Sequence, residues 1–414
     1  MGNTRFESIL RRGVAEIITE TGLLTLLNSG RILKLKQGFD PSAPDIHLGH
    51  VVGLRKLRQF QDLGHRVILI VGDWTARIGD PSGRSVARPM LSPETVAANA
   101  QTYMQQFFKV VDRDRTEVRW QSEWFSKFTL SEVIDLASKF TVARLLARED
   151  FNYRYKSGSP ISLSEMLYPL LQAYDSVAIE ADVEFGGIDQ KFNCLIGREL
   201  QQTVGQRPQQ ILLVPLLLGT DGSQKMSKSL NNYIGIAEPP REIYGKLMSI
   251  PDSLIIDYFE LLTDVSDEEI TEFKEQLKTR STNPMNIKKR LAYEIVKQFH
   301  GSRAADEAEQ HFARVFQKKE TPEEVPQCIF AGKYVGDGLF QVNIGPHLVE
   351  EGLVKSMSEF KRLLAQGAIE LDGNKISSST VNARQGSILR VGKRRFVRIT
   401  IKSEEAVSRS GPLL

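Results

Sequence analysis

Runs of apolar residues alternate with segments of helical periodicity over the first half of the chain. The runs at 67–71 (V-I-L-I-V) and 211–218 (I-L-L-V-P-L-L-L) are almost continuously apolar, and two further strand patterns occupy 31–40 and 181–185. Strands buried on both faces of a parallel sheet have this composition, because helices cover both sides of the sheet. The pattern therefore predicts an α/β fold with a doubly wound, Rossmann-like parallel sheet.

Helical periodicity predicts the elements that connect these strands. We expect one helix over 5–28, before the first strand. Further helices are expected at about 46–63, 93–110, 129–147, 164–177 and 189–203. In a sheet of this kind, ligands bind beyond the carboxyl ends of the strands, close to the point where the strand order reverses. The loops that follow the strands are therefore where ligand-binding residues are expected.

The character of the sequence changes after Pro239-Pro240. A charged, helical stretch follows, then a segment with prolines and alternating charge blocks that is typical of a linker, and then an α+β unit. In that last unit Ser356 and Glu359 form a capping box, and Asp372-Gly373 is a hairpin turn signal. The predicted parts are an α/β domain (1–238) with a connective insertion near 120–180, a helical domain (239–320), a linker (321–340), a small α+β domain (341–402) and a tail (403–414).

The distribution of charge changes the interpretation of the last domain. The formal net charge of the 414 residues is only +3, but residues 331–414 contain 13 Lys and Arg against 8 Asp and Glu. A basic excess at one end of a chain is typical of a module that binds a polyanion such as nucleic acid.

Cysteine usage and hydropathy argue against several classes of protein. Cys194 and Cys328 are far apart and in no C-x-x-C motif, which argues against a disulfide framework and a cysteine zinc site. No apolar run approaches the roughly 18 residues of a membrane span, and the N-terminus lacks the apolar segment of a secretory signal. We expect a cytoplasmic protein without membrane contact.

The loop after the first strand carries two histidines at the start of a helix. Asp45 can cap that helix, and His47 and His50 are three residues apart, so they share one face of its first turn. Amides at a helix N-terminus favour an anion, imidazoles add donors, and Gly49 lets a flat group approach the backbone. The loop resembles an ATP phosphate site, and two histidines at a surface helix start are the alternative.

Polar residues with possible ligand roles also follow or flank other strands. Asp80 comes after the 67–71 strand, where it is either part of a turn or a partner for a ligand ammonium. Tyr168, Gln172 and Asp175 share one helical face, which is either solvated or the polar wall of a pocket.

Two loops near the end of the α/β part complete the set. Gly186-Gly187 lets the backbone come close to a ligand, and Asp189 is either a helix cap or an acceptor for sugar hydroxyls. Lys225 and Lys228 lie beyond the 211–218 strand, in S-Q-K-M-S-K-S-L-N. Two compact ammonium groups in this place suit phosphate and stabilise charge that develops during phosphoryl or nucleotidyl transfer.

Together these segments resemble the class I aminoacyl-tRNA synthetases. H-L-G-H at 47–50 is similar to the HIGH signature of that class, and K-M-S-K-S at 225–229 matches its second signature. Four further motifs narrow the resemblance to the bacterial tyrosyl-tRNA synthetases: G-F-D-P-S at 38–42, G-D-P-S-G at 79–83, Y-x-x-x-Q-x-x-D at 168–175 and G-G-x-D-Q at 186–190. The basic C-terminal unit is similar to an S4 RNA-binding domain, so the resemblance covers nearly the whole chain.

This resemblance implies an enzyme that activates L-tyrosine with ATP and then transfers the tyrosyl group to the terminal adenosine of tRNA(Tyr). The residues that it implies for transition-state stabilisation are His47, His50, Lys225 and Lys228. Those implied for tyrosine are Gly38, Asp40, Asp80, Tyr168, Gln172, Asp175 and Gln190, with Asp175 on the phenol hydroxyl. Those implied for ATP are His47, Gly49, His50, Gly187, Asp189, Lys225 and Lys228. Mg²⁺ would arrive with ATP, held by phosphates and water, and neither a protein-held metal nor a tightly bound cofactor is expected.

The resemblance also implies macromolecular partners. The helical domain would be of the anticodon-binding type. The basic residues implied for tRNA phosphates are Lys355, Lys361, Arg362, Lys393, Arg394, Arg395 and Arg398, with a solvated charged face as the alternative. The enzymes of this family are homodimers through the segment between the half-domains, here about 120–180.

Two positions depart from many members of the family. Lys36 stands where they have a tyrosine that pairs with the substrate phenol, and Glu184 stands where others have glutamine. A subgroup with an intact K-M-S-K-S also lacks that tyrosine, and the chain resembles this subgroup.

Three other functions compete with this interpretation. A tryptophanyl-tRNA synthetase shares the fold, but Asp175 and the S4 unit favour tyrosine. A non-catalytic RNA-binding descendant of a synthetase would not need intact histidine and lysine signatures. A small nucleotidyltransferase also uses H-x-G-H, but the helical and S4 domains are superfluous for it.

Overall fold

A computed structural model describes residues 4–81, 91–317, 325–392 and 395–403. The chain divides into two compact units, Met1–Asp306 and Glu307–Leu414. None of the helices in the described ranges combines the length and the apolar character that a membrane crossing requires.

The first unit is built on a six-stranded sheet, which confirms the predicted doubly wound α/β fold. Its strands are β1 (Glu16–Ile18), β2 (Lys34–Phe39), β3 (Arg66–Val71), β4 (Thr116–Trp120), β5 (Val183–Gly187) and β6 (Gln210–Val214). Their order across the sheet is β1-β6-β5-β2-β3-β4, and only β1 is antiparallel to its neighbour. β3 and β6 are buried almost throughout, as their continuous apolar composition predicts.

Helices cover both faces of this sheet and connect its strands. They are α1 (Thr4–Arg11), α2 (Glu20–Leu27), α3 (Leu48–Asp62), α4 (Thr75–Ile78), α5 (Pro93–Phe107), α6 (Ser122–Phe125), α7 (Leu130–Ser138), α8 (Val142–Leu146), α9 (Glu149–Lys156), α10 (Leu163–Ile179) and α11 (Lys191–Thr203). The helix predicted over 129–147 is two helices, α7 and α8, because Thr141 caps α8 by accepting from the backbone N–H of Arg144.

The two edge strands of the sheet were not predicted. A single helix over 5–28 is wrong, because the chain turns at Gly13, where φ is +66°, and residues 16–18 pair with β6. β4 escaped prediction because T-E-V-R-W carries charged residues and lies at an edge, where each of its residues is only half-buried. Hydrophobic runs identify central strands more readily than edge strands.

The stretch from Pro240 to Phe312 is mainly helical, as predicted. The helices are α12 (Pro240–Met248), α13 (Ile255–Leu262), α14 (Asp267–Thr279), α15 (Pro284–His300) and α16 (Ser302–Phe312). Arg12 ties α13 to the α/β part, since its guanidinium donates to the carbonyl oxygens of Phe259 at 3.0 Å and Thr263 at 2.9 Å. These carbonyls lie at the C-terminal end of α13, where a helix favours a cation.

The second unit is a small α+β unit, as predicted. Its strands are β7 (Gln327–Gly336), β8 (Leu339–Asn343), β9 (Ile369–Leu371), β10 (Asn374–Lys375), β11 (Thr380–Arg384), β12 (Ile388–Val391) and β13 (Arg395–Ser403), and its helices are α17 (Ile344–Glu350) and α18 (Met357–Ala365). The strands form one sheet in the order β10-β9-β12-β13-β7-β8-β11. Leu348 of α17 and Phe360 of α18 pack with Phe330 and Val397 of the sheet in one core. The hairpin predicted at Asp372-Gly373 joins β9 to β10.

The linker predicted over 321–340 differs from the structure in its second half. Residues 327–336 form β7, which pairs antiparallel with β8 and parallel with β13. Cys328 and Phe330 are buried in the core while their neighbours are exposed, so this stretch has the period of two of a strand with one buried face. The prolines and charges just before it obscured that period. Residues 318–324 lie outside the described ranges.

Candidate active site

The strand order brings two strand ends together at the centre of the first unit. β2 and β5 are neighbours, and the order reverses between them, since β2 leads on to β3 and β5 leads on to β6. Open α/β sheets bind ligands at such a switch point. A cavity of about 710 Å³ is lined by the strand ends and by all fourteen residues predicted to bind tyrosine or ATP: Gly38, Asp40, His47, Gly49, His50, Asp80, Tyr168, Gln172, Asp175, Gly187, Asp189, Gln190, Lys225 and Lys228.

Helix α3 begins on the two predicted histidines. His47 is the N-cap residue, and its Nδ1 accepts from the backbone N–H of Gly49 at 3.1 Å. Nδ1 of His50 accepts in turn from the backbone N–H of His47 at 3.2 Å. Because both Nδ1 atoms accept, the proton of each neutral ring is assigned to Nε2. Asp45, which was expected to cap this helix, instead accepts from Gln106 Nε2 at 3.1 Å.

Both imidazoles are uncharged at neutral pH. Burial, followed by the positive charges nearby, holds the pKa of His47 far below its ordinary value, and burial lowers the pKa of His50 to about 4. A Cβ atom on Gly49 would come within 2.9 Å of the His47 ring, so glycine is needed for this packing. The pair therefore offers N–H donors, rather than positive charge, to an anion.

The two predicted lysines are held over the same cavity by protein acceptors. Lys225 Nζ lies 2.9 Å from Asp189 Oδ2, and Lys228 Nζ donates to the backbone carbonyl of Asp45 at 2.5 Å. Burial lowers the pKa of Lys228 from its ordinary value. The segment 223–231, here called the lysine loop, is thus connected to Asp189, the residue predicted to bind the ribose, and to the loop after β2.

Backbone hydrogen bonds fix the lysine loop on both sides. The N–H of Met226, a buried residue, donates to the carbonyl of Leu217 at 2.8 Å. Beyond the loop, the carbonyl of Ile234 accepts from the N–H of Leu48 at 2.9 Å, next to a bridge between His47 and Gly235. The histidine and lysine signatures are therefore neighbours in one backbone-bonded structure.

Helix α10 supplies one wall of the cavity. Tyr168 and Asp175 are buried and Gln172 is half-buried, so this face of α10 is a pocket wall and not a solvated face. The hydroxyl of Tyr168 donates to Asp40 Oδ2 at 2.9 Å, and Thr75 Oγ1 donates to Asp40 Oδ1 at 2.7 Å. Burial raises the pKa of Tyr168 well above its ordinary value, so its hydroxyl keeps its proton.

The carboxyl group of Asp175 accepts hydrogen bonds from two other side chains. Gln121 Nε2 donates to Oδ2 at 2.8 Å, and Trp124 Nε1 donates to Oδ1 at 3.2 Å. Burial raises the pKa of Asp175 to about 7, and the positive charge of Lys36 acts in the opposite direction. This carboxyl is therefore close to the balance between its charged and neutral forms at neutral pH.

Asp80 and Gln190 form a second polar group in the cavity. Gln190 Nε2 donates to Asp80 Oδ2 at 2.7 Å, and Gln190 Oε1 accepts from Asn193 Nδ2 at 3.0 Å. Next to them, a Cβ atom on Gly187 would come within 2.7 Å of Asp189 Oδ1. The absence of a side chain at 187 thus lets Asp189 lie against the backbone at the end of β5.

Sequence analysis missed residues that hold the predicted ones in place. Gln121 and Trp124 follow β4, and because that edge strand was not predicted, the loop after it was not searched. Lys36 was noted only as a departure from the family pattern, although its place in a buried strand pattern marks it as unusual. Arg148, which is buried and donates to Asp80 Oδ1 at 3.5 Å, lies in the insertion and carries no local signal.

The basic residues predicted to bind tRNA differ in their surroundings. Lys355, Lys361 and Arg362 are exposed at or near α18. Arg395 lies 3.5 Å from Glu359, and Arg398 donates to the carbonyl of Gly386 at 3.3 Å, so both have partners within the unit. The two remaining predicted residues, Lys393 and Arg394, lie outside the described ranges.

Comparison with known proteins gives matches over most of the chain. The family described as tRNA synthetases class I (W and Y) matches residues 28–317. The tyrosine–tRNA ligase of Dehalococcoides mccartyi (strain CBDB1) is 59% identical over 95% of this chain and 98% of that protein, and that of Thermotoga maritima is 53% identical over 95% and 96%. The solved tyrosyl-tRNA synthetase of Archaeoglobus fulgidus, complexed with L-tyrosine, is 24% identical and similar in fold, with a TM-score of 0.60 over 74% of this chain and 99% of that one.

These matches separate the competing functions. The relatives act on tyrosine by name, which argues against a tryptophanyl-tRNA synthetase, and they match beyond the α/β part, which argues against a small nucleotidyltransferase. The chain belongs to the class I tRNA synthetases (W and Y) and, within them, to the bacterial tyrosine–tRNA ligases, ATP-dependent enzymes that join L-tyrosine to tRNA.

Proposed function

We propose that the cavity at the end of β2 and β5 activates tyrosine, with the amino acid among Asp80, Tyr168 and Asp175 and with ATP among His47 and Lys228. An oxygen of the tyrosine carboxylate bonds to the α-phosphorus of ATP while the bond from that phosphorus to its bridging oxygen breaks. Pyrophosphate leaves with that electron pair. The gathering of all fourteen predicted residues around one cavity is the observation that carries this proposal. A carboxylate is already a nucleophile, so the step requires no general base.

In this proposal the cavity binds tyrosine both at its amino and carboxylate groups and at its phenol hydroxyl. Asp80, Tyr168 and Gln172 accept from the α-ammonium, and Gln190, which already donates to Asp80 at 2.7 Å, lies at the carboxylate end. Asp175 accepts from the phenol hydroxyl. Asp40 belongs to the same pocket through Tyr168, and Gly38 leaves space there, since a Cβ atom on it would meet nothing within 4 Å.

The nucleotide is bound by neutral donors and by two cations. The Nε2–H groups of His47 and His50 donate to phosphate oxygens, and Lys225 and Lys228 exchange their present acceptors for the charge that develops in the transition state. Asp189, released from Lys225 in this exchange, accepts from the ribose hydroxyls. Gly187 and Gly49 let the nucleotide approach the backbone.

Mg²⁺ enters this proposal with the nucleotide. Within the described residues, no group of three or more His, Cys, Asp or Glu is arranged to hold a metal ion. A magnesium ion that keeps several waters and binds ATP phosphates needs no such group. When bound, it would neutralise part of the charge on the leaving pyrophosphate.

The second step joins the tyrosyl group to tRNA(Tyr). A hydroxyl oxygen of the terminal adenosine bonds to the tyrosyl carbonyl carbon while the bond from that carbon to the phosphate oxygen breaks. AMP leaves with that electron pair, and its phosphate takes up the proton of the hydroxyl. The exposed Lys355, Lys361 and Arg362 support a role for the S4-like domain (341–402) in holding the tRNA backbone. The helical domain (239–320) is proposed to face the anticodon end.

Exposed apolar side chains support a homodimer through the insertion near 120–180. Six large apolar residues in this segment are more than half exposed: Leu130, Ile134, Val142, Tyr153, Tyr155 and Leu163. Exposed apolar residues concentrated in one segment support an interaction surface there, because larger exposed apolar patches mark such surfaces in soluble proteins. The occupant that we propose is the same segment of a second copy.

We place this enzyme in the cytoplasm. Its cysteines, Cys194 and Cys328, are both free and buried, which suits a reducing compartment. Its tRNA substrate is also found there.

Amino-acid-dependent exchange of pyrophosphate into ATP tests the proposal. We expect exchange with tyrosine and none with tryptophan at the same concentration. Exchange driven by tryptophan, or no exchange with either amino acid, would overturn it.

A further inference from the structure

A fully buried ion pair lies in the sheet behind the wall of the tyrosine pocket. Lys36 on β2 and Glu184 on β5 are opposite each other in the parallel register, and Lys36 Nζ lies 2.9 Å from Glu184 Oε1. Their exposed fractions are 0% and 1%. Neither is among the described residues that line the cavity, so the pair acts on the site through other residues.

Lys36 directs all of its donors to protein atoms. An ammonium group has three N–H donors. One goes to Glu184, one to the backbone carbonyl of Gln172 at 2.9 Å, and one to Ser176 Oγ at 2.8 Å. Gln172 and Ser176 are one turn apart on α10 and flank Asp175. Lys36 therefore fixes the turn that carries Asp175 and offers no donor to a substrate.

Stability alone does not account for this ion pair. Replacing a buried ion pair by apolar residues of similar volume is often neutral or stabilising, because both charges lose their hydration on burial. The centre of a parallel sheet is otherwise filled by apolar residues, as in β3 and β6. The presence of charges at this position therefore calls for an explanation other than stability.

We propose that Lys36 is a positioning residue that determines specificity: paired with Glu184, it holds the turn that carries Asp175 and favours the ionised form of that carboxyl, which accepts the phenol hydroxyl of tyrosine. The proposal rests on the role of Asp175 in the proposed function. A buried carboxylate left without its hydroxyl partner costs more free energy than a neutral carboxyl would. The pair thereby sharpens the choice of tyrosine over phenylalanine, a form of discrimination for which tyrosyl-tRNA synthetases are a standard example.

Several elements set the charge of Asp175. The titratable groups around Asp175 and its ion pair are Lys36 on β2, Glu184 on β5 and Cys194 on α11. The polar groups there are Gln121 after β4, Trp124 on α6, Gln172 and Ser176 on α10, and Gln209 just before β6; the last three all donate to Glu184. Burial raises the pKa of Asp175 to about 7, Lys36 lowers it and Glu184 raises it, with Lys36 the stronger of the two charges. Burial raises the pKa of the Cys194 thiol well above its ordinary value, so it adds no charge.

Two variants with opposite expected effects test the proposal. Lys36→Met combined with Glu184→Gln removes the pair without leaving a lone buried charge, so the pKa of Asp175 rises. Glu184→Gln alone keeps Lys36, so the pKa of Asp175 falls. The measurement is the pH at which the KM for tyrosine changes in pyrophosphate exchange, which should move up by roughly one pH unit in the double variant and down in the single one. The KM for ATP should stay constant.

The preference of the same variants for tyrosine over phenylalanine in pyrophosphate exchange is a second, independent measurement. We expect the double variant to lose roughly tenfold in its preference for tyrosine over phenylalanine. A hydrogen bond to a charged group contributes more binding free energy than one to a neutral group, and the difference corresponds to about a tenfold change in affinity. Glu184→Gln should keep the preference. It leaves the buried charge of Lys36 without a carboxylate, which is destabilising, so the melting temperature of each variant is measured first, and either variant that is folded carries the test.

Asp175→Asn separates failure of this inference from failure of the proposed site. If Asp175→Asn loses the preference for tyrosine while both ion-pair variants keep the wild-type pH profile and preference, Lys36 is only structural and the inference is refuted. If Asp175→Asn keeps the preference for tyrosine over phenylalanine, Asp175 does not bind the phenol hydroxyl. Both the proposed site and this inference are then refuted.

Discussion

In the proposed site, Lys225 and Lys228 supply the positive charge at the nucleotide end of the cavity, because the histidines beside them are neutral. Among the described residues that line the cavity, they are the two cationic side chains. We expect Lys228→Ala to slow adenylate formation by roughly 100-fold, since a donor aimed at transition-state charge is worth about that much. The KM for tyrosine should change little, because Lys228 does not contact the tyrosine residues.

Gln224→Ala is a suitable control for Lys228→Ala, since Gln224 is exposed in the same loop. Single-turnover formation of tyrosyl-adenylate measures the rate, and equilibrium binding measures tyrosine affinity. An equal loss of rate and of tyrosine affinity in Lys228→Ala would contradict a role in the transition state.

If Asp175 accepts the phenol hydroxyl as proposed, the enzyme has a pH dependence that can be assigned to this one residue. Its pKa is raised to about 7, so the carboxylate that accepts the phenol hydrogen predominates above that value and is lost as the pH falls through it. We expect the KM for tyrosine to rise between about pH 8 and about pH 6, while the KM for ATP stays constant. Asp175→Asn should have a higher KM for tyrosine at every pH, without this inflection.

At the scale of elements, the edge strand β4 positions a donor that the active site needs. Gln121 follows β4, and its Oε1 accepts from the backbone N–H groups of Trp74 at 3.2 Å and Thr75 at 2.9 Å, which fixes Nε2 toward Asp175. We expect Gln121→Leu to raise the KM for tyrosine by roughly tenfold, because the carboxylate loses a charge-assisted hydrogen bond.

The matched control for Gln121→Leu is Gln101→Leu, at an exposed position of α5. Steady-state pyrophosphate exchange with varied tyrosine measures the KM. An unchanged KM in Gln121→Leu, in protein with the wild-type melting temperature, would show that Asp175 does not depend on this donor.

The sequence was informative where a single local pattern dominates. The central strands β3 and β6 are buried, apolar runs, β2 and β5 have recognisable strand patterns, and the histidine and lysine signatures lie in the segments that follow β2 and β6. Prediction failed where tertiary contacts decide: β1 and β4 pair at the edges of the sheet, and β7 follows directly on a segment of prolines and charges. The partners of Lys36, Gln121 and Arg148 could not be predicted, because each contact joins segments that are distant in sequence.

At the scale of the whole molecule, the two units predict two separable activities. The fragment 1–317 contains every residue assigned to tyrosine and ATP. We expect it to keep pyrophosphate exchange within a few-fold of the full chain and to lose most of its tRNA charging, because the basic second unit supplies phosphate contacts. Aminoacylation of tRNA(Tyr) and pyrophosphate exchange on the same preparations measure the two steps.

The full-length variant Lys361→Glu with Arg362→Glu is the companion to that fragment. It should lower charging in the same direction. The loss relative to the wild type should be largest at low salt and should shrink as the salt concentration rises, because the variant has fewer phosphate contacts to screen, while exchange is unaffected. Undiminished charging by both proteins would contradict a tRNA-binding role for this unit.

The exposed apolar residues of the insertion predict an assembly that single substitutions can disrupt. We expect Leu163→Arg to convert a homodimer into monomers, because Leu163 is 81% exposed in one chain and would be buried between two. Ile32→Arg, at an apolar residue that is 69% exposed outside the insertion, is the matched control. Sedimentation velocity measures the assembly; a wild-type chain that is monomeric at micromolar concentration would contradict the prediction.

The bridge between His47 and Gly235 also bears on how the enzyme is made. It joins the loop after β2 to the segment after β6, so four of the six strands of the sheet lie between its two partners in sequence. Contacts of such long range form late in folding, because the intervening chain must be ordered first. A nascent chain that has emerged from the ribosome only as far as residue 224 therefore has every strand of this sheet but no complete nucleotide site. We therefore expect a new copy of this enzyme to have a complete nucleotide site only when the segment after β6 has been translated and has paired with the loop after β2.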